Sequence, residues 1–207
     1  EQGSALRREL IGDRPVWIAA STHEGEEQQL LDAHGKLLDR FPALLLILVP
    51  RHPERFADVR AMIEKSGFET ISRTEDRPCV TSTSVFFGDT MGEVPLFYGM
   101  SDIAFVGGSL VPVGGHNLLE PAAQGLPVVT GSHLFNAQDI ADMFLAAEAC
   151  RMVNNTDELV AVITELLTNP EVASTLGKNG LALLKANRGA LQRLLVLLEP
   201  LLDKQLA

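Results

Sequence analysis

Residues 44–49 read Leu-Leu-Leu-Ile-Leu-Val, an unbroken apolar run closed by Pro50. The run is of strand length and far too short to cross a bilayer. It also lacks the alternation of a strand with one wet face, so it reads as a strand covered on both sides. A similar run spans Val16–Ala20, and shorter ones fall near 70–72, 85–87, 103–106, 127–130 and 151–153. Between the first two runs, Leu30, Leu31, His34, Leu37, Leu38 and Phe41 recur at helical spacing. Ser21 and Glu24 fit a capping box before that helix. The spacing predicts a helix over 54–66, with Phe56, Val59, Met62 and Ile63 inward and Gly67 at its end. Further helices are predicted over 93–100, 117–124, 137–147, 157–168 behind Thr156 as cap, 171–187, and from 190 to near the end. Strand–helix alternation of this kind makes an α/β fold: a Rossmann-like parallel sheet flanked by helices, joined by right-handed crossovers.

In such a sheet, ligands bind beyond the carboxyl ends of the strands. Residues 107–121, Gly-Gly-Ser-Leu-Val-Pro-Val-Gly-Gly-His-Asn-Leu-Leu-Glu-Pro, follow the predicted strand at 103–106 and lead into a helix carrying Asn117 and Glu120. Glycines let backbone approach a ligand, and a helix start offers N–H groups to an anion. A carboxylate one turn inside can accept bonds from sugar hydroxyls, so the layout suits a molecule with a phosphate and a ribose. The alternative for Asn117 and Glu120 is a capping box.

Two further turns fall on the same edge. Pro50-Arg51-His52-Pro53-Glu54-Arg55 ends the most apolar strand, where a guanidinium can pair with phosphate or carboxylate; Arg51 is the better placed, and Arg55 reads as structural. Gly88-Asp89-Thr90-Met91-Gly92-Glu93 precedes a helix, and reads either as capping by Asp89 or Thr90 or as backbone recognition of a base or phosphate. His23, His52 and His116 each sit beside a predicted turn and read individually as structural hydrogen-bonding residues. No HExxH, CxxC, GxGxxG or GxxxxGK[ST] pattern is present, which argues against a metal site, a dehydrogenase and a P-loop enzyme.

With 207 residues the chain can bury an ample core. Its formal net charge of −10 argues against nucleic acid as a partner and against this segment lying on anionic lipid. Cys79 and Cys150 stand alone and read as reduced, small apolar residues of a cytoplasmic protein. No signal peptide or spanning segment is evident, and the chain starts at Glu1 without methionine, as a piece of something longer would.

The segment from Glu120 to Pro127 resembles the Glu-x4-Gly-x-Pro pattern of GT-B glycosyltransferases, whose glutamate holds the nucleotide ribose. Five stretches in series also resemble the carboxyl-terminal half of the 3-deoxy-D-manno-oct-2-ulosonic acid (Kdo) transferases, bacterial enzymes of lipid A and lipopolysaccharide biosynthesis. They are residues 20–27, 49–55, 88–93, 105–109 and 114–121. The resemblance implies the donor-binding domain of an inverting, metal-independent GT-B enzyme that uses CMP-Kdo as donor substrate, without a cofactor. The family's CMP contacts carry over to Pro50, Arg51, Met91, Gly92, Glu93, Asn117, Leu118, Leu119 and Glu120.

The family's amino-terminal acceptor domain, membrane anchor and catalytic glutamate have no counterpart here. The segment is therefore expected to hold the donor and transfer nothing alone, with no catalytic residue of its own. The full-length enzyme is expected at the cytoplasmic face of the inner membrane, with the lipid A precursor reached through the other half and this fragment soluble. The expected division is a linker or helix over 1–14, the Rossmann-like domain over 15–185, and a carboxyl-terminal helix over 186–207 packing toward the other half. Two alternatives stay open on the residues alone. One is a GT-B transferase or sugar-nucleotide epimerase using a UDP-sugar; the other is a non-catalytic interaction domain.

Overall fold

In a computed structural model, which describes residues 2–203 and side chains through residue 187, the apolar runs assemble into one seven-stranded sheet. Helix α1 (Gln2–Leu10) precedes strand β1 (Val16–Thr22), helix α2 (Glu27–Leu38) and strand β2 (Leu45–Pro50). A 3-10 turn at Pro53–Arg55 leads into α3 (Phe56–Lys65), followed by β3 (Thr70–Ser72), β4 (Val85–Phe87), α4 (Val94–Tyr98) and β5 (Ile103–Val106). Then come α5 (Leu119–Ala123), β6 (Val128–Gly131), α6 (Gln138–Ala146), β7 (Cys150–Val153), α7 (Thr156–Thr168) and α8 (Pro170–Asp203).

Every strand pairing is parallel, in the order β3-β4-β2-β1-β5-β6-β7. The chain leaves β1 toward one edge, then returns to its other side at β5. The crevice between those two directions of winding is where an α/β sheet opens at its carboxyl edge.

The strands alternate their side chains between two apolar layers. Trp17 and Ala19 join Leu46, Leu48, Phe87 and Phe105 on one face, against α2, α3 and α7. Ile18 and Ala20 join Ile47, Val49 and Phe97 on the other. Each fully buried Leu, Ile or Phe contributes about 1.5–3 kcal/mol, which is why continuous apolar runs are needed in a doubly covered sheet. Leu10 and Ile11, just after the backbone start of the chain, belong to the second layer, so α1 packs as part of the domain.

Three local expectations change. Ser21 and Glu24 form no capping box: β1 runs on to Thr22, and Ser21 is an extra residue between the Ala20↔Val49 and Thr22↔Pro50 pairs with φ of 59°. The cap of α7 is Asn155, one residue before Thr156; its side chain accepts from Glu158 N at 2.9 Å, and the Glu158 carboxylate accepts from Asn154 N at 2.8 Å. The helix expected to stop at 187 continues without a break to Asp203. A single interior glycine such as Gly189 costs a helix only about 1 kcal/mol, too little to end one without a cap. The packing expected of residues 186–207 lies largely outside the described residues. Among the described residues, no helix is long and apolar enough to cross a membrane.

Candidate functional site

The end of β1 and the loops after β2, β4 and β5 meet over the carboxyl edge of the sheet around a cleft of about 450 Å³. Pro50 and Arg51 form one wall; Thr90, Met91 and Gly92 form a second; His116, Asn117 and Glu120 form the third. Ser21 closes the floor beside Tyr98. The left-handed Ser21 bulge is what turns this residue from the strand into the cleft. Arg51 is anchored through its backbone, whose N–H donates to Thr22 O at 3.0 Å. Among the described residues its guanidinium makes no ion pair, leaving a cation at the strand end.

Arg55, by contrast, is structural. It pairs with the buried Glu27 at 3.1 Å and with Glu24 at 3.5 Å. Thr22 Oγ1 also donates to Glu27, at 3.2 Å. The loops after β1 and β2 are thus locked together beneath Arg51.

The first glycine pair does not serve a ligand as its sequence suggests. The buried Glu26 carboxylate accepts from the amides of Gly108, Ser109 and Leu110 at 2.7, 3.1 and 2.9 Å, and from His23 N at 3.3 Å. An internal anion fills this nest. Burial raises the Glu26 carboxyl above its ordinary value, an effect larger than the opposing pull of those amides. Gly107 has to be glycine because a Cβ there would lie 2.6 Å from Ser21 O and 2.8 Å from Glu26 Oε2. The second pair is also engaged: Gly115 N donates to Gly108 O at 2.8 Å, and Gly114 O accepts from Asn136 N at 3.0 Å.

Asn117 and Glu120 form a unit at the cleft rim without a capping box. Asn117 Oδ1 accepts from Leu119 N at 3.0 Å, and its Nδ2 donates to Glu120 Oε1 at 3.1 Å. Pro121 and Gly125 leave α5 only five residues, and α4 is equally short. The dipoles of such short helices are small beside the full charge of Arg51 at the same cleft.

Three of the nine predicted contacts do not line the cleft with their side chains. Leu118 is fully buried. Leu119 faces a separate apolar groove with Ala123, Ile140 and Phe144. Glu93 turns to Arg73, 3.2 Å away, and accepts from Thr90 Oγ1. Asp89 caps nothing; it accepts from Thr74 N at 3.0 Å. These bonds fix the turn that presents Thr90, Met91 and Gly92, and Met91 is 57% exposed.

Reading the histidines one at a time misses their main property. His23, His52 and His116, from three different loops, form one cluster. His23 and His116 share an Nε2···Nε2 hydrogen bond of 2.7 Å with rings nearly parallel, and His52 lies edge-on to His23 with centroids 5.2 Å apart. No local spacing signals this; the only clue in the sequence is that all three flank predicted strand-end turns. Cys79 and Cys150 are both free thiols.

The strand-end cleft of this parallel sheet thus presents an arginine, an exposed glycine turn and a Glu–Asn rim. Residues 28–182 match the family Glycosyl transferases group 1, and the chain belongs to that family. Its fold is that of the carboxyl-terminal domain of a GT-B glycosyltransferase. It is 50% identical over 201 residues to the 3-deoxy-D-manno-octulosonic acid transferase of Haemophilus influenzae, covering 97% of this chain and 47% of that protein. With the same-named transferase of Bordetella pertussis it is 36% identical, over 90% of this chain and 44% of that one. The crystal structure of the C-terminal CMP-Kdo binding domain of WaaA from Acinetobacter baumannii superposes with a TM-score of 0.83 at 36% identity, covering 87% of this chain and 95% of that one. The chain spans about half the length of the two transferases.

Proposed function

We propose that the chain is the donor-binding half of a Kdo transferase, holding CMP-Kdo in the cleft at the carboxyl edge of the sheet. The observation that carries this reading is the placement of Arg51, a cation without an ion pair among the described residues, across the cleft from the Asn117–Glu120 rim. A phosphate on Arg51 would leave the ribose hydroxyls within reach of the Glu120 carboxylate and the base against the Met91–Gly92 turn. The name of the Acinetobacter domain supports the choice of donor.

The reaction in this reading is inverting transfer. A hydroxyl of a lipid A precursor attacks the anomeric carbon of Kdo, the bond to the phosphate oxygen breaks, and CMP leaves with that electron pair. Arg51 stabilises the charge growing on the leaving phosphate. The base that takes the hydroxyl proton belongs to the other half of the enzyme. CMP carries a single phosphate, so Arg51 can neutralise it without a metal. The chain by itself therefore binds donor and transfers nothing, and contact with the inner membrane falls to the other half.

Calorimetric titration of the chain with CMP, UMP and AMP tests the reading. A preference for CMP supports it; equal or absent responses to all three count against it, and a preference for UMP points to a UDP-sugar enzyme instead.

A further inference from the structure

The His116 imidazole lines the cleft together with Arg51 and faces the imidazole of His23 behind it. Their 2.7 Å Nε2···Nε2 bond fixes how many protons they can hold. One ring must donate and the other accept, so in the neutral pair the donor ring carries its proton on Nε2 and the acceptor ring on Nδ1. One more proton can be added, at Nδ1 of the donor ring, with the bridge intact. A second would put N–H groups on both Nε2 atoms and break it. The pair is therefore a built site for one positive charge.

The fold makes room for this pair at some cost. Gly108, with φ of +68°, lies under it: a Cβ there would sit 2.9 Å from His116 Cδ2 and 3.3 Å from His23 Cδ2. The same glycine donates its N–H to Glu26.

Several charged groups surround the pair: Arg51 and His52 follow β2, Arg55 precedes α3, and the Glu26 carboxylate accepts from His23 N. Glu120 lines the same cleft as His116. Arg55 is matched by Glu24 and Glu27, and Glu26 by four amides. What remains uncompensated is the charge of Arg51. Burial first, then the neighbouring histidines and arginines, lower both imidazoles, His116 to about 4. With nothing bound, these surroundings favour the neutral form of both rings.

We propose that the His23–His116 pair is a one-proton subsite for an anionic group of the bound donor, drawing a single proton from solvent as that group arrives. The pair then stands as a second cation beside Arg51, present only when there is an anion to balance it. His23 and His116 are thus positioning residues whose charge follows occupancy. The inference deepens the donor-binding reading and rests on it for the choice of CMP as probe.

Calorimetry of the 207-residue chain with CMP at pH 7, in two buffers of different ionisation enthalpy, counts the protons taken up on binding. Uptake approaching about one proton per CMP is expected. It should be lost in His23→Gln and in His116→Gln and kept in His52→Gln. Protons exchanged by the phosphate itself are common to all variants and cancel in the comparison. Cytidine, which lacks the phosphate, should bind without uptake. The ring Cε1–H resonances of the unmodified chain provide a readout that needs no variant: those of His23 and His116 should move toward their protonated positions on adding CMP. Absence of uptake, uptake surviving in both variants, or unmoved ring signals overturns the proposal. If CMP gives no heat at all, the nucleotide reading fails; inorganic phosphate titrated against the same resonances then decides the subsite, movement supporting it and stillness overturning it.

Discussion

Glu26 Oε2 lies 2.7 Å from Gly108 N, so a glycine turn that looks made for a ligand's phosphate is closed over the protein's own carboxylate. This bond joins the loop after β1 to the loop after β5 across the switch point of the sheet. The end of β1 and the loop after β5 both line the cleft, with Ser21 from one and His116 and Asn117 from the other.

Glu26→Gln places an amide nitrogen among backbone N–H donors and removes the charge they surround. Relief of the burial cost offsets part of the loss. A net destabilisation of about 2 kcal/mol is expected, read as a lower urea midpoint at pH 7 with unchanged denaturant dependence.

Arg51→Ala and Glu120→Gln test the two walls of the cleft separately. Each removes a charged hydrogen-bonding partner, worth about 1.5–3 kcal/mol. CMP affinity should fall about tenfold or more in each, while the melting temperature stays near that of the parent, since both side chains are exposed at the cleft. CMP affinity surviving both changes would place the nucleotide elsewhere.

Trp17 Nε1 donates to His34 Nδ1 at 3.2 Å, so His34 Nε2 carries the proton and donates to Ser84 O at 2.8 Å. Burial pushes this imidazole down to about 4. The unfolded chain takes up a proton near pH 6.5 that the folded one refuses until about pH 4. Stability is then full above the unfolded value and falls as the pH drops through that window, by about 3 kcal/mol. His23 and His116 are lowered too and act in the same direction. The His34 share is the difference between the parent and His34→Gln, measured by denaturant unfolding from pH 7 to 4; the variant should be less stable at pH 7 and show a flatter profile.

Two helical glycines should respond to alanine with opposite signs. Gly35 in α2 has only Phe68 Cζ near its added Cβ, at 3.6 Å, so Gly35→Ala should stabilise by about 0.5–1 kcal/mol through helix propensity. Gly177 in α8 packs directly on the Gly125 carbonyl, and a Cβ there collides with backbone. Gly177→Ala should destabilise by about 1–3 kcal/mol despite the same gain in propensity. Thermal melts of the two variants check the contrast; equal signs would mean that α8 can shift away from Gly125.

The strands were legible because residues 44–49 and 16–20 need cover on both faces, a demand that only a sandwiched parallel sheet meets. The position of the cleft followed from topology, and Pro50, Arg51, Met91, Gly92, Asn117 and Glu120 do line it. The side chains of Leu118, Leu119 and Glu93 point elsewhere because helix phase and a partner 20 residues away, Arg73, decide their direction. Glu26 and the histidine cluster were illegible for the same reason. Glu26 meets Gly108 across 82 residues and His23 meets His116 across 93, and no local pattern encodes an approach that the sheet order creates.

Residues 107–117 do not hang free over the cleft. Asn136 N holds Gly114 O, His133 N holds Ser109 O at 3.0 Å, and the ring of Phe135 lies against Gly114. The turns after β5 and β6 are thus tied to one another, with Phe135 at their outer edge at 62% exposure. Any change at that ring therefore bears directly on the backbone that carries His116 and Asn117.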